Sequence, residues 1–360
     1  MKAELLTRKK DFLTFKKVGS DVYKGNKHYR GTGSSIEKLL LKSSGAFSKH
    51  ATIKTFVVRD QNNLVARFAL IHDQYLADYI QVSFFEAYEG LGDIFSIIKK
   101  CAKLHFPELN KIVVGLNGHL NYGAGILLNR FDETPLFGLP YNHDYYADYF
   151  KDLTPRKMVS YKFSMEVYSQ WAESYKSFRK IDGLSVRFIN KKNIKRESAI
   201  YTELNNKAFK EHPYWASRDP EEDLELFAPF RHLLNKENLI FAEVNGEPVG
   251  FFLWYPDFND LISSQRDLNI FDVLKYRINP SIDTFRFAEI GIIPKYQRSP
   301  VALALIDKGL TAMKGYNYFE VGFIFKENKA SLAFVKRVYQ RCYGKEPKPY
   351  REFAVFETAI

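Results

Sequence analysis

The stretch EIGIIPKYQRSPVALALIDKGL, Glu289 to Leu310, runs from an apolar segment through a polar loop into a helical pattern. A strand that feeds a helix through a short loop presents free backbone N–H groups and the positive end of the helix dipole. Together they favour a phosphate or diphosphate. The amides of Val301, Ala302 and Leu303 are candidate donors here, and the side chains of Gln297 and Arg298 add two more. Pro300 stands where a phosphate-cradling loop favours glycine; it removes one amide donor and fixes φ. The same residues also read as an ordinary helix start, with Ser299 as N-cap and Pro300 as first helical residue. A capping Ser299 oxygen competes for an amide that an anion would use. Both readings stay open on the residues alone.

A second concentration of polar chemistry is VGLNGHLNYGAGILLNRFDETPLFGLPYNHDYYADYF, from Val114 to Phe150. Asn117, Asn121, Tyr141, Asn142 and Tyr145 either line a polar pocket for a substrate or cap loops and pin the halves of the chain, since Asn and Gly favour turns. Metal and thiol chemistry are not expected. The two cysteines, Cys101 and Cys342, lie far apart without a CxxC partner. The eight histidines show no HExxH spacing, and His72, His105 and His119 read as local hydrogen-bonding residues.

At 360 residues the chain has length for two ordinary domains, and 46% hydrophobic with 26% charged residues is the composition of a folded protein. Aromatic residues make up 16%, so the cores are expected to be aromatic-rich. No apolar run reaches the roughly 18 residues that span a bilayer, and the N-terminus lacks the apolar segment of a secretory signal. A cytoplasmic protein is the expectation. Residues 1–60 hold fourteen Lys/Arg against five Asp/Glu, which is +9 of the net +11. Such a segment reads as the solvated face of a basic protein or as a contact for RNA, acidic lipid or a phosphorylated ligand. There is no RNP-like aromatic motif, GxxG clamp or helix-turn-helix pattern, so nucleic acid is not the expected partner.

The positioning elements are clearest in the second half. LSVRFIN (Leu184–Asn190) alternates as a strand, helical spacing follows through Ile200, Leu204 and Phe209, and Pro220 with its acids opens another helix. LIFAEV and VGFFLWY flank the hairpin turn Asn245-Gly246. After a loop-rich stretch come strand TFRFAEIGII, helix VALALIDKGLTAMKGY, strand NYFEVGFIF, helix KASLAFVKRVYQRC and a closing strand YREFAVFE. The first half repeats the order loosely: strand FLTFKKV, helix SSIEKLLL, strands TIKTFVVRD, LVARFALIHD and DYIQVSFFEA, helix IFSIIKKCAKLHF, strand KIVVGLN, helical YYADYF and strand MVSYKFSMEV. The expectation is a mixed-sheet α/β chain of two similar units, 1–167 and 183–360, joined by a linker at 168–182 that is itself open to a helical reading.

That order resembles the GNAT (Gcn5-related N-acetyltransferase) fold, in which a bulged strand ends at a Q/R-x-x-G-x-G/A loop opening a helix. IGIIPKYQRSPVALALI matches this segment, with Gln297 at the loop's first position, Pro300 at the first glycine and Ala302 at the second. The chain also resembles bacterial proteins with two GNAT-like halves, mostly of unknown function, whose first half carries a run like GPxNxSxNxxxGLLxxGFxxPPxxxxPYNPxYY. Gly115, Asn117, Asn121, Gly125, Leu127, Leu128, Phe131, Pro135, Pro140, Tyr141, Asn142, Tyr145 and Tyr146 fall in step with it. FFEA (Phe84–Ala87) and the segment Ala242–Asp260 are similar to that group too.

The resemblance implies two tandem acyl-CoA N-acyltransferase folds, and transfer of an acetyl or other acyl group from acyl-CoA to a small-molecule or peptide amine. Ile290, Gly291, Ile292, Ile293, Gln297, Arg298, Ser299, Val301, Ala302 and Asn328 would contact the acyl-CoA. Amine acylation needs a base, an oxyanion donor and an acid for the thiolate. Glu289 is the candidate base, against the alternative of a strand-surface carboxylate. The family's frequent acid, a Tyr seven residues after the Asn that opens the last helix, is replaced by Val335; Tyr339 lies one turn on. In the first half, EAYEGLGDIF keeps Gly90 and Gly92 but puts Glu89 where a cation is usual, which disfavours a pyrophosphate. Two alternatives stand beside the acyltransferase. One is a noncatalytic ligand-binding or regulatory protein on a degenerate GNAT fold. The other is a Fem-like aminoacyl transferase.

Overall fold

A computed structural model describes residues 1–8, 11–41, 44–174, 181–263 and 265–360. In chain order the elements are β1 (Lys2–Leu6), α1 (Asp11–Val22), α2 (Ser34–Leu40), β2 (Ala51–Asp60), β3 (Asn63–Asp73), β4 (Ile80–Ala87), α3 (Ile94–His105), β5 (Lys111–Val114), β6 (Ile126–Leu127) and β7 (Thr154–Ser164). They continue with α4 (Met165–Ser174), β8 (Leu184–Phe188), α5 (Ile194–Phe209), α6 (Pro220–Phe227), β9 (Leu239–Val244), β10 (Glu247–Pro256), α7 (Ile270–Ile278) and β11 (Thr284–Ile292). Last come α8 (Val301–Met313), β12 (Tyr318–Phe325), α9 (Lys329–Tyr343) and β13 (Glu352–Ala359).

Two compact units form. Unit one is Met1–Met158 with Ile262–Leu268 and Arg351–Ile360; unit two is Val159–Leu261 with Asn269–Tyr350. The chain therefore passes between units several times instead of dividing once at 168–182. Of that expected linker, 168–174 lies on α4 and 175–180 falls outside the described residues. The strand expected to close the second half, YREFAVFE, pairs in unit one: Phe356, Glu357 and Thr358 of β13 face Val114, Val113 and Ile112 of β5. From Val159 onward, the strand expected to close the first half belongs to unit two. The first of these carries the unbroken apolar run Phe353–Phe356 and the second alternates from Val159, and neither pattern says which unit the strand joins.

In unit one the strand order is β1-β2-β3-β4-β5-β13, with β6 against β13. Every pair among the first four strands is antiparallel, and β4 with β5 is parallel. The core gathers Phe56, Val58, Ala66, Phe68, Leu70, Ile80 and Val82 from the sheet with Ile94, Ile98 and Ala102, spaced four apart on α3. FLTFKKV, expected as a strand, lies in helix α1. The Asp11 carboxylate accepts the amides of Thr7 (3.2 Å) and Arg8 (3.0 Å), which fixes the turn entering the helix. Phe15, Val18 and Val22 then bury one face at helical spacing. YYADYF forms a 3₁₀ segment, Asp144–Phe150.

Unit two has the order β7-β12-β11-β10-β9-β8. β8, β9, β10 and β11 pair antiparallel in turn, and β11 with β12 is parallel. Side chains alternate across β10. Phe252 and Trp254 join Val301, Leu305 and Met313 of α8, while Phe251 and Leu253 join Tyr201 and Leu204 of α5 on the opposite face. Gly291 of β11 sits against the Phe251 ring; a Cβ there would come 2.3 Å from a ring carbon, so only glycine lets the ring lie flat on the strand. The stretch expected as loop before β11 contains α7. Asn269 opens it, accepting the amides of Phe271 (2.8 Å) and Asp272 (3.1 Å), and Asp272 accepts the Asn269 amide in return.

Candidate functional site

The parallel pairing of β11 and β12 runs from Thr284↔Tyr318 to Phe287↔Val321 and then stops, although β11 continues to Ile292 and β12 to Phe325. An extra residue enters β11 at this point: Trp254 of β10 faces Phe287, but Leu253 faces Glu289, so Ala288 is a bulge. Arg286 marks the root of the opening. Its Nε and Nη2 donate to the Gly322 carbonyl (3.2 and 3.1 Å), the first residue of β12 past the ladder, and its Nη1 donates to the Tyr255 hydroxyl (3.0 Å). Two strands held together at one end and unpaired at the other leave room for an extended ligand that supplies its own hydrogen bonds.

Glu289 lies directly after the bulge, half-buried, and faces α5. Its Oε2 accepts the Tyr201 hydroxyl at 2.5 Å and the Asn205 Nδ2 at 3.3 Å. Burial, reinforced by the Glu289 charge, pushes the Tyr201 phenol well above its ordinary value, so it stays a donor. Asn205 is fully buried and its Oδ1 meets no donor among the described residues. A buried acceptor without a partner costs about 1–3 kcal/mol, so this oxygen fits a water or a ligand N–H beside Glu289. Neither Tyr201 nor Asn205 was expected from the sequence. The one available signal was an asparagine on the apolar face of α5, four residues after Tyr201 and next to Leu204.

Beyond Ile292 the chain makes a 3₁₀ turn, Pro294–Tyr296, and enters α8. Ile290, Ile292 and Ile293 are half-buried against the α8 side of the core, and Gly291 is buried. Gln297 is exposed and donates from Nε2 to the Ile292 carbonyl (3.1 Å). Arg298 is exposed and takes a left-handed φ of 63°, the conformation a glycine-rich loop would use. Ser299 partly behaves as the ordinary helix start requires: its Oγ donates to the Tyr296 carbonyl (2.5 Å) and accepts the Val301 amide at 3.3 Å. The amides of Ala302 and Leu303 meet no acceptor among the described residues, so two donors of the first turn remain open to an anion. With these amides and the Arg298 cation, the loop fits a diphosphate even without the Pro300 donor.

Asn328 caps α9, its Oδ1 accepting the Ser331 amide at 3.0 Å. Val335 is buried in the core, and Tyr339 packs edge-to-face with Phe163 (ring centroids 5.2 Å) and tilted against Tyr343 (4.3 Å), as a packing residue does. Among the described residues no three His, Cys, Asp or Glu side chains gather as a metal site.

Unit one carries a counterpart. Its β4–β5 parallel pairing also stops, at Val82↔Val114, and the β3–β4 register also shifts, Ala69 facing Ser83 but Arg67 facing Glu86. Glu86 follows that irregularity as Glu289 follows Ala288. Its Oε2 accepts the hydroxyls of Tyr23 (2.6 Å) and Tyr146 (2.7 Å), and Arg67 stands 3.8 Å from Oε1. Here, however, the unpaired edge is filled by the chain itself. Asn117 Oδ1 accepts the Phe84 amide (2.9 Å), Ser83 Oγ donates to the Leu116 carbonyl (2.5 Å), and the Gln81 amide pairs with the backbone of Gly118 in both directions.

The other residues of the Asn/Tyr run are engaged similarly. Asn142 is buried between Leu127 and the His143 carbonyl. The Tyr141 hydroxyl bonds the Phe131 carbonyl and Asn26, Tyr145 donates to the Ala87 carbonyl, and the backbone N–H of Asn121 donates to His119 Nδ1.

Burial outweighs Arg67 and the two tyrosine donors at Glu86 and pushes its carboxyl up to about 7. Folded protein then holds a proton that the unfolded chain releases. The penalty is absent below the ordinary value of 4.5, grows as pH rises and is complete above about 7. Wild-type protein is expected to lose about 3 kcal/mol of stability from this group between pH 4.5 and pH 8. Glu86→Gln, which keeps an acceptor for the tyrosines, should flatten that dependence in urea titrations at pH 5 and pH 8. Equal slopes for both proteins would remove Glu86 as the source.

No family model matches the chain. It is similar to Protein YghO of Escherichia coli, 22% identical over 265 residues that cover 67% of this chain and 64% of that protein. It is also similar to bacterial ceramide synthase of Caulobacter vibrioides, 21% identical over 188 residues, covering 49% and 47%. The chain thus spans less than two thirds of either relative's length.

Among solved structures, a tandem GNAT protein from the clavulanic acid biosynthesis pathway superposes with a TM-score of 0.55 at 11% identity, covering 99% of this chain and 98% of that one. A probable N-acyltransferase from Enterococcus faecalis gives 0.53 at 9%, covering 100% and 72%. A GCN5-related N-acetyltransferase from Anabaena variabilis gives 0.54 at 7%, covering 99% and 72%. The fold is a tandem GNAT fold. Each unit contributes mixed strand pairing with an opening; in unit one that opening is filled by its own chain, and in unit two the rings of His212 and Tyr214 pack against Phe325 past the end of the ladder.

Proposed function

We propose that this chain is an N-acyltransferase that moves an acyl group from acyl-CoA to an amine, with unit two holding the acyl donor. The observation that carries the reading is the β11–β12 opening, which leads along β11 to the free Ala302 and Leu303 amides at the start of α8. A pantetheine-like arm can pair with the unpaired strand edges while its diphosphate meets those amides and Arg298. This places the thioester near the bulge at Ala288. Glu289 then takes the proton from the acceptor amine as its nitrogen attacks the thioester carbon. Tyr201 and Asn205 hold the Glu289 carboxylate, and the Asn205 Oδ1 accepts a second N–H. As the new C–N bond forms, the C–S bond breaks and CoA leaves as thiolate. An unperturbed thiol ionises near pH 8.5, so the thiolate can take its proton from water, consistent with Val335 in the acid position.

A binding protein without turnover is the second reading. Val335, and the Ser299 oxygen occupying the Val301 amide, favour it. Calorimetry with acetyl-CoA and longer acyl-CoAs, paired with acyl transfer to a panel of small amines and peptides, separates the two. Binding with turnover supports the transferase, binding alone supports the second reading, and absence of binding removes both. Pro300→Gly restores one amide beside the diphosphate. Given roughly 1.5 kcal/mol for a hydrogen bond to a charged group, acyl-CoA is expected to bind about tenfold more tightly. Unchanged affinity by calorimetry would mean that the diphosphate does not reach this turn.

A further inference from the structure

Helix α7 presents its apolar residues to solvent. Ile270 is 58% exposed, Phe271 76%, Leu274 51% and Ile278 85%, while Asp272 and Tyr276 are buried. At about 100° per residue, the four exposed apolar side chains fall within roughly 100° of arc. Lys275 borders that stripe on one side and Arg277 on the other, both exposed. The helix's one acid, Asp272, points inward and closes the N-terminal capping box. Tyr276 anchors the helix to the protein, its ring edge against Phe258 (centroids 5.6 Å). Arg277 is held at the rim by donating to the His232 carbonyl. The helix is thus fixed by one face and offers the other, an apolar stripe between two cations, to whatever lies outside.

From this we infer that α7 docks the protein on an anionic lipid surface, with Phe271, Leu274 and Ile278 entering the headgroup–acyl boundary and Lys275 and Arg277 meeting lipid phosphates. Helices that lie in a membrane interface have this pattern, because apolar side chains gain by leaving water while flanking cations reach the headgroups. Charge selects this occupant over a second copy of the chain. Two copies paired through α7 would bring Lys275 and Arg277 of both onto one interface with no carboxylate from the stripe to offset them. An anionic leaflet attracts each cation, and the net +11 of the chain adds to that attraction.

The test is co-sedimentation of the full chain with vesicles of phosphatidylcholine containing phosphatidylglycerol, with pure phosphatidylcholine vesicles and without vesicles. Sedimentation equilibrium gives the oligomeric state. Wild type is expected to partition onto anionic vesicles most strongly at low salt. Phe271→Gln/Ile278→Gln should lower that partitioning by at least about tenfold. Lys275→Gln/Arg277→Gln should lower it by about fivefold per charge on anionic vesicles and little on neutral ones. All four positions are exposed, so melting temperatures should match wild type and exclude unfolding as the cause. Three results would overturn the inference: no vesicle binding by wild type, equal binding by the Phe271/Ile278 variant, or a wild-type dimer that Phe271→Gln dissociates.

Discussion

Glu289→Gln is expected to lower kcat/KM for acyl transfer by about 10²–10⁴, the usual contribution of a positioned general base, while the acyl-CoA Kd stays within about twofold. Glutamine keeps the length and one acceptor oxygen for the Tyr201 hydroxyl, so the local hydrogen bonds survive and the proton acceptor is lost. The division between binding and turnover discriminates among roles. A strand-surface carboxylate would change neither quantity, and a residue that only shapes the opening would weaken acyl-CoA binding together with the rate. Tyr201→Phe removes the 2.5 Å hydrogen bond and leaves the carboxylate in place. Its effect should be smaller than that of Glu289→Gln and should appear chiefly in kcat. A Glu289→Gln enzyme as fast as wild type would exclude Glu289 as the base even if acyl-CoA binds.

Elements whose residues meet only their neighbours in sequence were legible. The Asn245-Gly246 turn was readable because both residues need positive φ, and they adopt 52° and 85° between β9 and β10. The strand–loop–α8 order was readable from the change of apolar period at Pro294–Pro300. What escaped depends on contacts distant in sequence. Tyr201 and Asn205 lie 88 and 84 residues from Glu289, and nothing local marks their meeting. The exchange of β7 and β13 between units is equally invisible, because the pattern along a strand marks it as a strand without naming its partner. α1 was misread because Phe12, Phe15 and Val18 suit a strand by residue type, whereas the Asp11 turn and the spacing of Phe15, Val18 and Val22 select the helix. The Asn/Tyr run shows why residue type underdetermines role. Asn117 has the chemistry of a pocket, but its Oδ1 is held by the Phe84 amide inside unit one.

The largest effect on stability is expected behind the Glu289 site, at Arg218→Met. Arg218 Nη1 and Asp223 Oδ1 are 2.6 Å apart with side chains 1% and 0% exposed, and Thr202 donates to the other carboxylate oxygen at 2.7 Å. Removing one member of such a pair leaves a buried charge without its partner, which costs about 3–5 kcal/mol. Burial already pushes the Asp223 carboxyl up to about 6 in the presence of Arg218. Because the folded value lies above the unfolded one, folded protein holds the proton more tightly, and stability from this group falls as pH rises through about 4 to 6. Without the arginine the carboxyl rises further, so the loss should be larger at pH 8 than at pH 5 in urea titrations. Adding Asp223→Asn to Arg218→Met, which removes the charge and keeps an acceptor for Thr202, should recover most of it at pH 8. The guanidinium also lies over the rings of Tyr201 (5.8 Å) and Trp215 (5.7 Å), so the same substitution loosens the tyrosine that holds Glu289. A double variant that regains stability at pH 8 but remains slow in acyl transfer would separate the two effects and assign Arg218 to positioning Tyr201. One that regains both would confine the pair to holding α5 against α6.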